Sequence, residues 1–311
     1  MAFAQLIIGP PGTGKTTYAQ QLREFLGSLG RDVLLVNLDP SCDDERATAN
    51  AFDVDIRDLI SAREVMERLE LGPNGGLMFC MEYLHEHLDW LEERVKAVDR
   101  PYILFDCPGQ VELYTHHSAM RDFLHTLQHK WHFRVCTVNL IDSYMCSDAG
   151  NFIAALLASL SMMVQLETPH VNVLSKVDLV EAYGRLDFNL EFYTDVLDLR
   201  YLLDRLPTSP LFERHRAFNA ALCDLVEDFS LVQFYTLCID NKELLWNLTR
   251  AVDKALGYLY TSQEQGRIDM ETASIVRINA PLRGAIVCTE ISPHGPNTQD
   301  PLLLNPPDMK N

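Results

Sequence analysis

Positive charge is scarce in this chain: 26 lysines and arginines stand against 44 aspartates and glutamates in 311 residues, a net charge of −18. No dense Lys/Arg run relieves the imbalance, so the molecular field repels polyanions and disfavours direct binding of nucleic acid or an anionic membrane. The eight cysteines include no C-x-x-C pair. Cys80, Cys136, Cys223 and Cys238 lie inside apolar segments, as reduced core thiols of a cytosolic protein do. A membrane-length apolar run is missing too. The longest, Phe152 to Leu166, makes a helix of roughly 22 Å against the roughly 30 Å hydrocarbon core of a bilayer. It reads as a buried or interface helix, capped by Ser147 or Asp148 and stopped before Pro169. The apolar start Phe3–Ile8 has no basic region or cleavage site and runs straight into a glycine-rich loop, so no secretory leader is expected.

That loop, Gly9-Pro10-Pro11-Gly12-Thr13-Gly14-Lys15-Thr16, stands between a strand-like segment and a helical one. Glycines at a helix N-terminus let backbone N–H groups turn inward and cradle a phosphate, where a Cβ would block the approach. In this pattern Gly12, Thr13 and Gly14 supply the cradle and Lys15 reaches the β- and γ-phosphates. Thr16 holds Mg²⁺, and Thr17 follows in the same first turn. A ligand-free strand-to-helix turn is the blander alternative, but strand, loop, Lys-Thr and helix fall in the order that triphosphate binding requires.

Apolar, β-branched runs recur at Phe3–Ile8, Val33–Leu38, Tyr102–Phe105, Val135–Ile141, Val171–Leu174 and Val232–Cys238, with helical patterns between most of them. The alternation predicts an α/β fold, a mostly parallel P-loop NTPase sheet with helices on both faces. One helix from Lys15, ended by Gly30, separates the first two strands. This predicts a direct βαβ crossover of the kind found in the signal-recognition and partition-type branch. Helical insertions are expected at about 41–100, with candidates at Ile56–Leu69 and Met78–Val98, and at 186–229, broken near Pro207 and Pro210. From about Asn279, prolines, glycines and asparagines accumulate, and the stretch 269–311 is expected to be a weakly ordered tail.

Three strand ends carry candidate chemistry. Asp106-Cys107-Pro108-Gly109-Gln110 closes the third run: Asp106 can hold Mg²⁺ through a water, the Gly109 N–H can meet a γ-phosphate, and Gln110 can orient a water for in-line attack. Asp39, closing the second run, is a candidate for polarising that water or supporting the metal; a turn-forming Asp-Pro is the plain alternative. In Ser175-Lys176-Val177-Asp178, the Asp178 carboxylate can accept from guanine N1–H and its exocyclic amine while the Lys176 stem packs along the base. Serine where asparagine is usual predicts a weaker tie between this loop and the P-loop, and an ordinary helix cap at Asp178 fits the same letters. Gly72-Pro73-Asn74 reads on its own as a helix stop. His125, His129 and His132 share helical spacing but read as a solvated face, and Asp43-Asp44-Glu45 as a solvated charge run.

Taken together, Gly-Pro-Asn-Gly-Gly-Leu from Gly72, Met81-Glu82-Tyr83-Leu84, Asp106 to Leu113, Ile141-Asp142-Ser143, Leu174 to Leu179 and Ala251-Val252-Asp253-Lys254 closely resemble the GPN-loop GTPases, and within them the second of the eukaryotic paralogue groups. The likeness spans roughly residues 5 to 265. It implies a GTPase domain over 1–268 that binds GTP and Mg²⁺, with Asp39, Asp106 and Gln110 in catalysis. It also implies a homodimer or a heterodimer with GPN-loop paralogues, in which the loop Gly72, Pro73, Asn74 enters the partner's site and Asn74 acts in trans on the γ-phosphate. The cellular role it implies is assembly or import of RNA polymerase II through its subunits or assembly factors, in the cytoplasm with shuttling to the nucleus. Ser41-Cys42 and Ala47-Thr48 depart from the family's switch segment, and Cys238-Ile239-Asp240-Asn241-Lys242 matches its base-covering loop only loosely. An ATP-driven remodelling enzyme or a kinase also uses such a P-loop, but Cys107 stands where the former wants Glu and no arginine-rich lid marks the latter. A nucleotide-gated adaptor with negligible hydrolysis is the third reading.

Overall fold

The computed structural model describes residues 2–41, 52–98, 102–184, 186–196, 199–206, 210–229, 232–260 and 264–266. The expectations for the tail at 269–311, for Cys42 and Ala47-Thr48, for Asp43 to Glu45 and for Pro207 lie outside those residues.

Among the described residues, strands β1 (Phe3–Ile8), β2 (Val33–Asn37), β3 (Val54–Asp55), β4 (Tyr102–Asp106), β5 (Arg134–Asp142), β6 (His170–Ser175) and β7 (Phe234–Leu237) form one sheet in the order β3-β2-β4-β1-β5-β6-β7. Every pairing is parallel, so all strands end on one edge. The expected six runs recur as six of these strands. β3 was not among them: its two residues are too short to show alternation, and it pairs only through Val36↔Val54 and Asn37↔Asp55. The crossover from β1 to β2 through α1 (Lys15–Ser28) is not to the adjacent position, because β4 inserts between the two and pairs with both.

Both faces are covered, as two-sided apolar strands demand. Alternate residues of β1, Leu6 and Ile8 against Ile7, face opposite layers. One layer holds α1 and the helix Lys242–Leu256; the other holds α3 (Pro73–Glu86), α4 (Leu88–Lys96) and the helix Ala149–Leu166. Asp148 caps that last helix by accepting from Asn151 N at 2.9 Å, which confirms one of the two proposed caps.

The first insertion folds differently from its sequence pattern. Ile56–Asp58 is a short 3-10 turn, and the α-helix begins only at Ala62, as α2 (Ala62–Leu69). Glu70, in the left-handed region at φ 51°, closes α2. Gly72-Pro73-Asn74 then starts α3 rather than stopping a helix: Gly72 is the N-cap and Pro73 the first helical residue, where its missing N–H costs nothing. In the second insertion the helices are Leu190–Asp195, Arg200–Leu203 and Pro210–Phe229.

At the opposite edge of the sheet, Arg31 is buried. Its guanidinium donates twice to Asp253 at 3.0 Å and once to Glu264 at 3.2 Å, and lies 4.0 Å from the centre of the Tyr258 ring. A buried cation tolerates this position because charge and hydrogen bonds are both met.

Candidate functional site

The loop after β1 carries three glycines at positive φ, Gly9 at 141°, Gly12 at 79° and Gly14 at 88°. A Cβ on Gly9 would stand 2.2 Å from the Leu140 carbonyl oxygen of β5, so the turn packs against the neighbouring strand. Lys15 donates to the Gly9 and Pro10 carbonyls at 3.0 and 3.2 Å, and Thr13 Oγ1 donates to Pro10 O at 2.9 Å. Burial lowers the Lys15 pKa, against the opposing pull of Asp106 and Asp39.

The register Ile7↔Asp106 places Asp106 beside this loop. Thr16 Oγ1 donates to Asp106 Oδ2 at 2.6 Å, while Asp106 Oδ1 is buried with no hydrogen-bond partner. Burial pushes the Asp106 carboxyl up to about 6, tempered by the Thr16 bond and Lys15. Gly109 meets the P-loop directly: a Cβ there would come within 3.1 Å of Pro11 Cα. Gln110 follows it, half-buried. Asp39 sits just beyond β2, where its Oδ1 accepts from Ser41 N at 3.0 Å.

Ser175, Lys176 and Asp178 lie on the other flank. Ser175 Oγ reaches Thr13 O at 2.9 Å and Ile141 O at 3.1 Å, so the tie to the P-loop that serine was expected to weaken is present. Lys176, left-handed at φ 58°, donates to Gly12 O at 2.6 Å and to Asp142 Oδ2 at 2.7 Å. Asp178 is the second residue of a 3-10 turn whose N-cap is Lys176, not itself a cap. It lines a cavity of about 150 Å³ with Thr13, Gly14, Thr17, Leu140, Ser175, Lys176, Leu237, Ile239 and Asp240. The segment after β7, which its sequence matched only loosely, thus forms one wall of that cavity. A larger space of about 1000 Å³ between β7 and the helices Leu190–Asp195 and Lys242–Leu256 contains none of these residues.

Asn74 is exposed at the second position of α3, with Gly72 and Pro73 exposed beside it. The close approach of α3 to α2 at Gly76, where a Cβ would meet Met66 Cγ at 2.6 Å, holds this helix start in place. Exposed Leu69, Leu71, Met78 and Phe79 surround it. The three histidines do not share one helix face: His125 and His129 are exposed and stacked at 4.1 Å, His132 has left the helix at φ 58°, and among the described residues no three or more His, Cys, Asp or Glu side chains gather to ligate a metal ion. The buried thiols are chemically quiet, Cys136 and Cys146 each being pushed up to about 12 by burial.

A glycine-rich loop into a helix, a strand-end aspartate bonded to the helix's threonine and a third loop facing both, all at one edge of a parallel sheet, define a P-loop nucleotide-binding enzyme. A family model described as a conserved hypothetical ATP-binding protein matches residues 7–258, and GPN-loop GTPase 2 of Danio rerio is 47% identical over 276 residues, 89% of this chain and 88% of that protein. The chain belongs to the GPN-loop GTPase family. The GPN-loop GTPase 2 homolog of Dictyostelium discoideum is 48% identical over 273 residues, 88% of this chain and 84% of that one. Among solved structures, a Pyrococcus abyssi GTPase in its apo form matches with a TM-score of 0.64 at 20% identity, over 83% of this chain and 98% of that chain; this likeness speaks for the fold.

Proposed function

We propose that this protein binds and hydrolyses GTP as a dimeric switch, over a GTPase domain spanning residues 1–268. The observation that carries the reading is the divided Asp106 carboxylate: one oxygen is held by Thr16 and the other is buried without a partner. A buried anionic oxygen with no donor is costly unless a cation or its water meets it. The residues therefore fit Mg²⁺, which Thr16 and Asp106 would hold with support from Asp39. When bound, Mg²⁺ neutralises charge on the β- and γ-phosphates.

The chain's own groups then divide the work. Gly12, Thr13 and Gly14 present backbone N–H groups to the phosphates, Lys15 exchanges its loop carbonyls for phosphate oxygens, and Thr17 borders the α-phosphate end near the base cavity. The Gly109 N–H meets the γ-phosphate, Gln110 orients the attacking water and Asp39 polarises it or supports the metal. Asp178 reads guanine by accepting from N1–H and the exocyclic amine, which adenine does not offer together. Asn74 of a second copy or a paralogue donates its amide to charge developing on the γ-phosphate. The exposed apolar side chains around Gly72-Pro73-Asn74 supply surface for that contact.

GTP and ATP hydrolysis measured against protein concentration, with sedimentation on the same samples, tests this reading. GTP-selective turnover that rises with the dimer population supports it, whereas concentration-independent or ATP-selective turnover returns the chain to the self-contained ATPase or kinase class. GTP binding with negligible turnover would favour the nucleotide-gated adaptor.

The family resemblance extends the proposal to the cell, as a cytoplasmic, nucleus-shuttling factor in RNA polymerase II assembly or import. Depletion that leaves polymerase subunits correctly assembled and nuclear would refute that role.

A further inference from the structure

Lys176 stands in the left-handed backbone region at φ 58°, which a side chain other than glycine's enters only when its surroundings hold it there. Two residues from the end of β5 do so. Ser143 Oγ donates to the Lys176 carbonyl at 2.9 Å, fixing the backbone, and Asp142 Oδ2 accepts from the Lys176 ammonium at 2.7 Å, fixing the side chain. The ammonium spans from Asp142 to the Gly12 carbonyl. That carbonyl belongs to a loop of left-handed glycines, and turning it outward to Lys176 favours inward-facing N–H groups in the phosphate nest. The register Asp142↔Ser175 sets the geometry from the sheet itself. Asp142 has a second commitment, since Oδ1 accepts from Tyr144 N at 2.9 Å. The Tyr144 ring in turn meets Tyr183 edge-on at 5.4 Å, bracing the far end of the segment that carries Asp178.

We propose that Asp142 and Ser143 are positioning residues for the nucleotide: they fix Lys176 and, through it, clamp the base-reading loop to the phosphate loop. Neither touches the nucleotide in this scheme. The inference rests on the nucleotide-site reading above and adds residues to it. The ion pair is partly shielded, with side-chain exposures of 35% for Lys176 and 18% for Asp142, so salt screens it less than an open surface pair.

The test is a double-mutant cycle on the full chain, read by titration with fluorescent GTP and GDP. Asp142→Asn keeps an oxygen for Tyr144 N while removing the charge that holds Lys176. It is expected to weaken both nucleotides about tenfold, raising KM more than it lowers turnover at saturation. Lys176→Met should cost at least as much, and adding Asp142→Asn to it should cost nothing further, because the aspartate acts only through the lysine. Ser143→Ala, with melting temperatures recorded for every variant, separates loss of the clamp from loss of folding: weaker binding at an unchanged melting temperature is expected. Unchanged GDP affinity in Asp142→Asn, or losses that multiply in the double variant, would overturn the clamp while leaving the site reading intact. Wild-type protein that bound neither nucleotide would overturn both.

Discussion

Thr16 and Asp106, ninety positions apart in sequence, are joined by a 2.6 Å hydrogen bond between the threonine hydroxyl and one carboxylate oxygen. The bond ties the first turn of α1 to the end of β4, and β1, the strand that leads into α1, pairs directly with β4 through Ile7↔Asp106. It holds the carboxylate oriented before any nucleotide arrives. Such preorganisation reduces the reordering that binding must otherwise bring about.

Lys15 is the principal cation of the phosphate site, and its present partners are two loop carbonyls. Lys15→Ala is expected to lower affinity for the magnesium-GTP complex at least a hundredfold by titration calorimetry, because the triphosphate loses its main cationic side chain. Undiminished affinity would remove the P-loop assignment.

Asn74 is exposed and makes no contribution to the core. Asn74→Ala should therefore leave GTP affinity and melting temperature unchanged while slowing single-turnover hydrolysis about a hundred- to a thousandfold, the range for loss of one donor to transition-state charge. Equal single-turnover rates would reduce the exposed helix start to a purely structural element.

Asp178 shares its cavity with Gly14, Thr17 and Asp240. Asp178→Asn turns one acceptor into a donor opposite guanine N1–H, so competition assays should show the preference for GTP over ATP falling by about a hundredfold or more. A variant that stays fully guanine-selective would place base reading elsewhere.

Gly9 takes φ 141° with Leu140 O in the path of any Cβ, at 2.2 Å. Gly9→Ala combines backbone strain with a steric clash and is expected to destabilise the fold by about 3 kcal/mol or more. Urea unfolding of the nucleotide-free protein measures this directly, and a cost below about 1 kcal/mol would show that β1 and β5 can part there.

His170 sits at the start of β6 with both ring nitrogens buried and without partners, and burial lowers its pKa from 6.5 to about 4. Between those values the unfolded chain binds a proton that the folded one refuses, so stability is complete above pH 6.5 and falls as the pH drops towards 4. The loss should approach roughly 3 kcal/mol. His170→Phe should flatten that part of the urea-derived stability profile; an unaltered slope would assign acid sensitivity to other groups.

Much of this architecture was legible because its strands are buried on both faces. β1 could be read residue for residue as Phe3–Ile8, since an apolar run broken only by Gln5 and ending at glycine leaves little ambiguity. β3 escaped notice because two residues carry no period, and its pairing to β2 is a tertiary fact. Gly72-Pro73-Asn74 was misread as a stop because glycine and proline serve both a helix end and a helix start. Glu70 decides between them by closing α2 two residues earlier in a conformation no sequence pattern signals. At the site, the P-loop and Asp106 announced themselves by spacing. Ser175 did not: an unusual letter suggested a lost contact, yet its hydroxyl still reaches Thr13 O. Asp142 gives no sign of a site in sequence, and the Leu237–Asp240 wall only a loose match to a base-covering loop, because strand register alone brings them beside residues far away in the chain.

The arrangement around Arg31 sets the practical limits of the folded unit. Its guanidinium draws on Asp253 from the helix Lys242–Leu256 and on Glu264 further along the chain, with Tyr258 stacked between. Ending the chain at Leu256 rather than at Glu264 would shorten it by only eight more residues, yet it would strip away one carboxylate and the Tyr258 ring and open the guanidinium to water. A shortened version intended for crystals or spectroscopy should therefore run at least as far as Glu264.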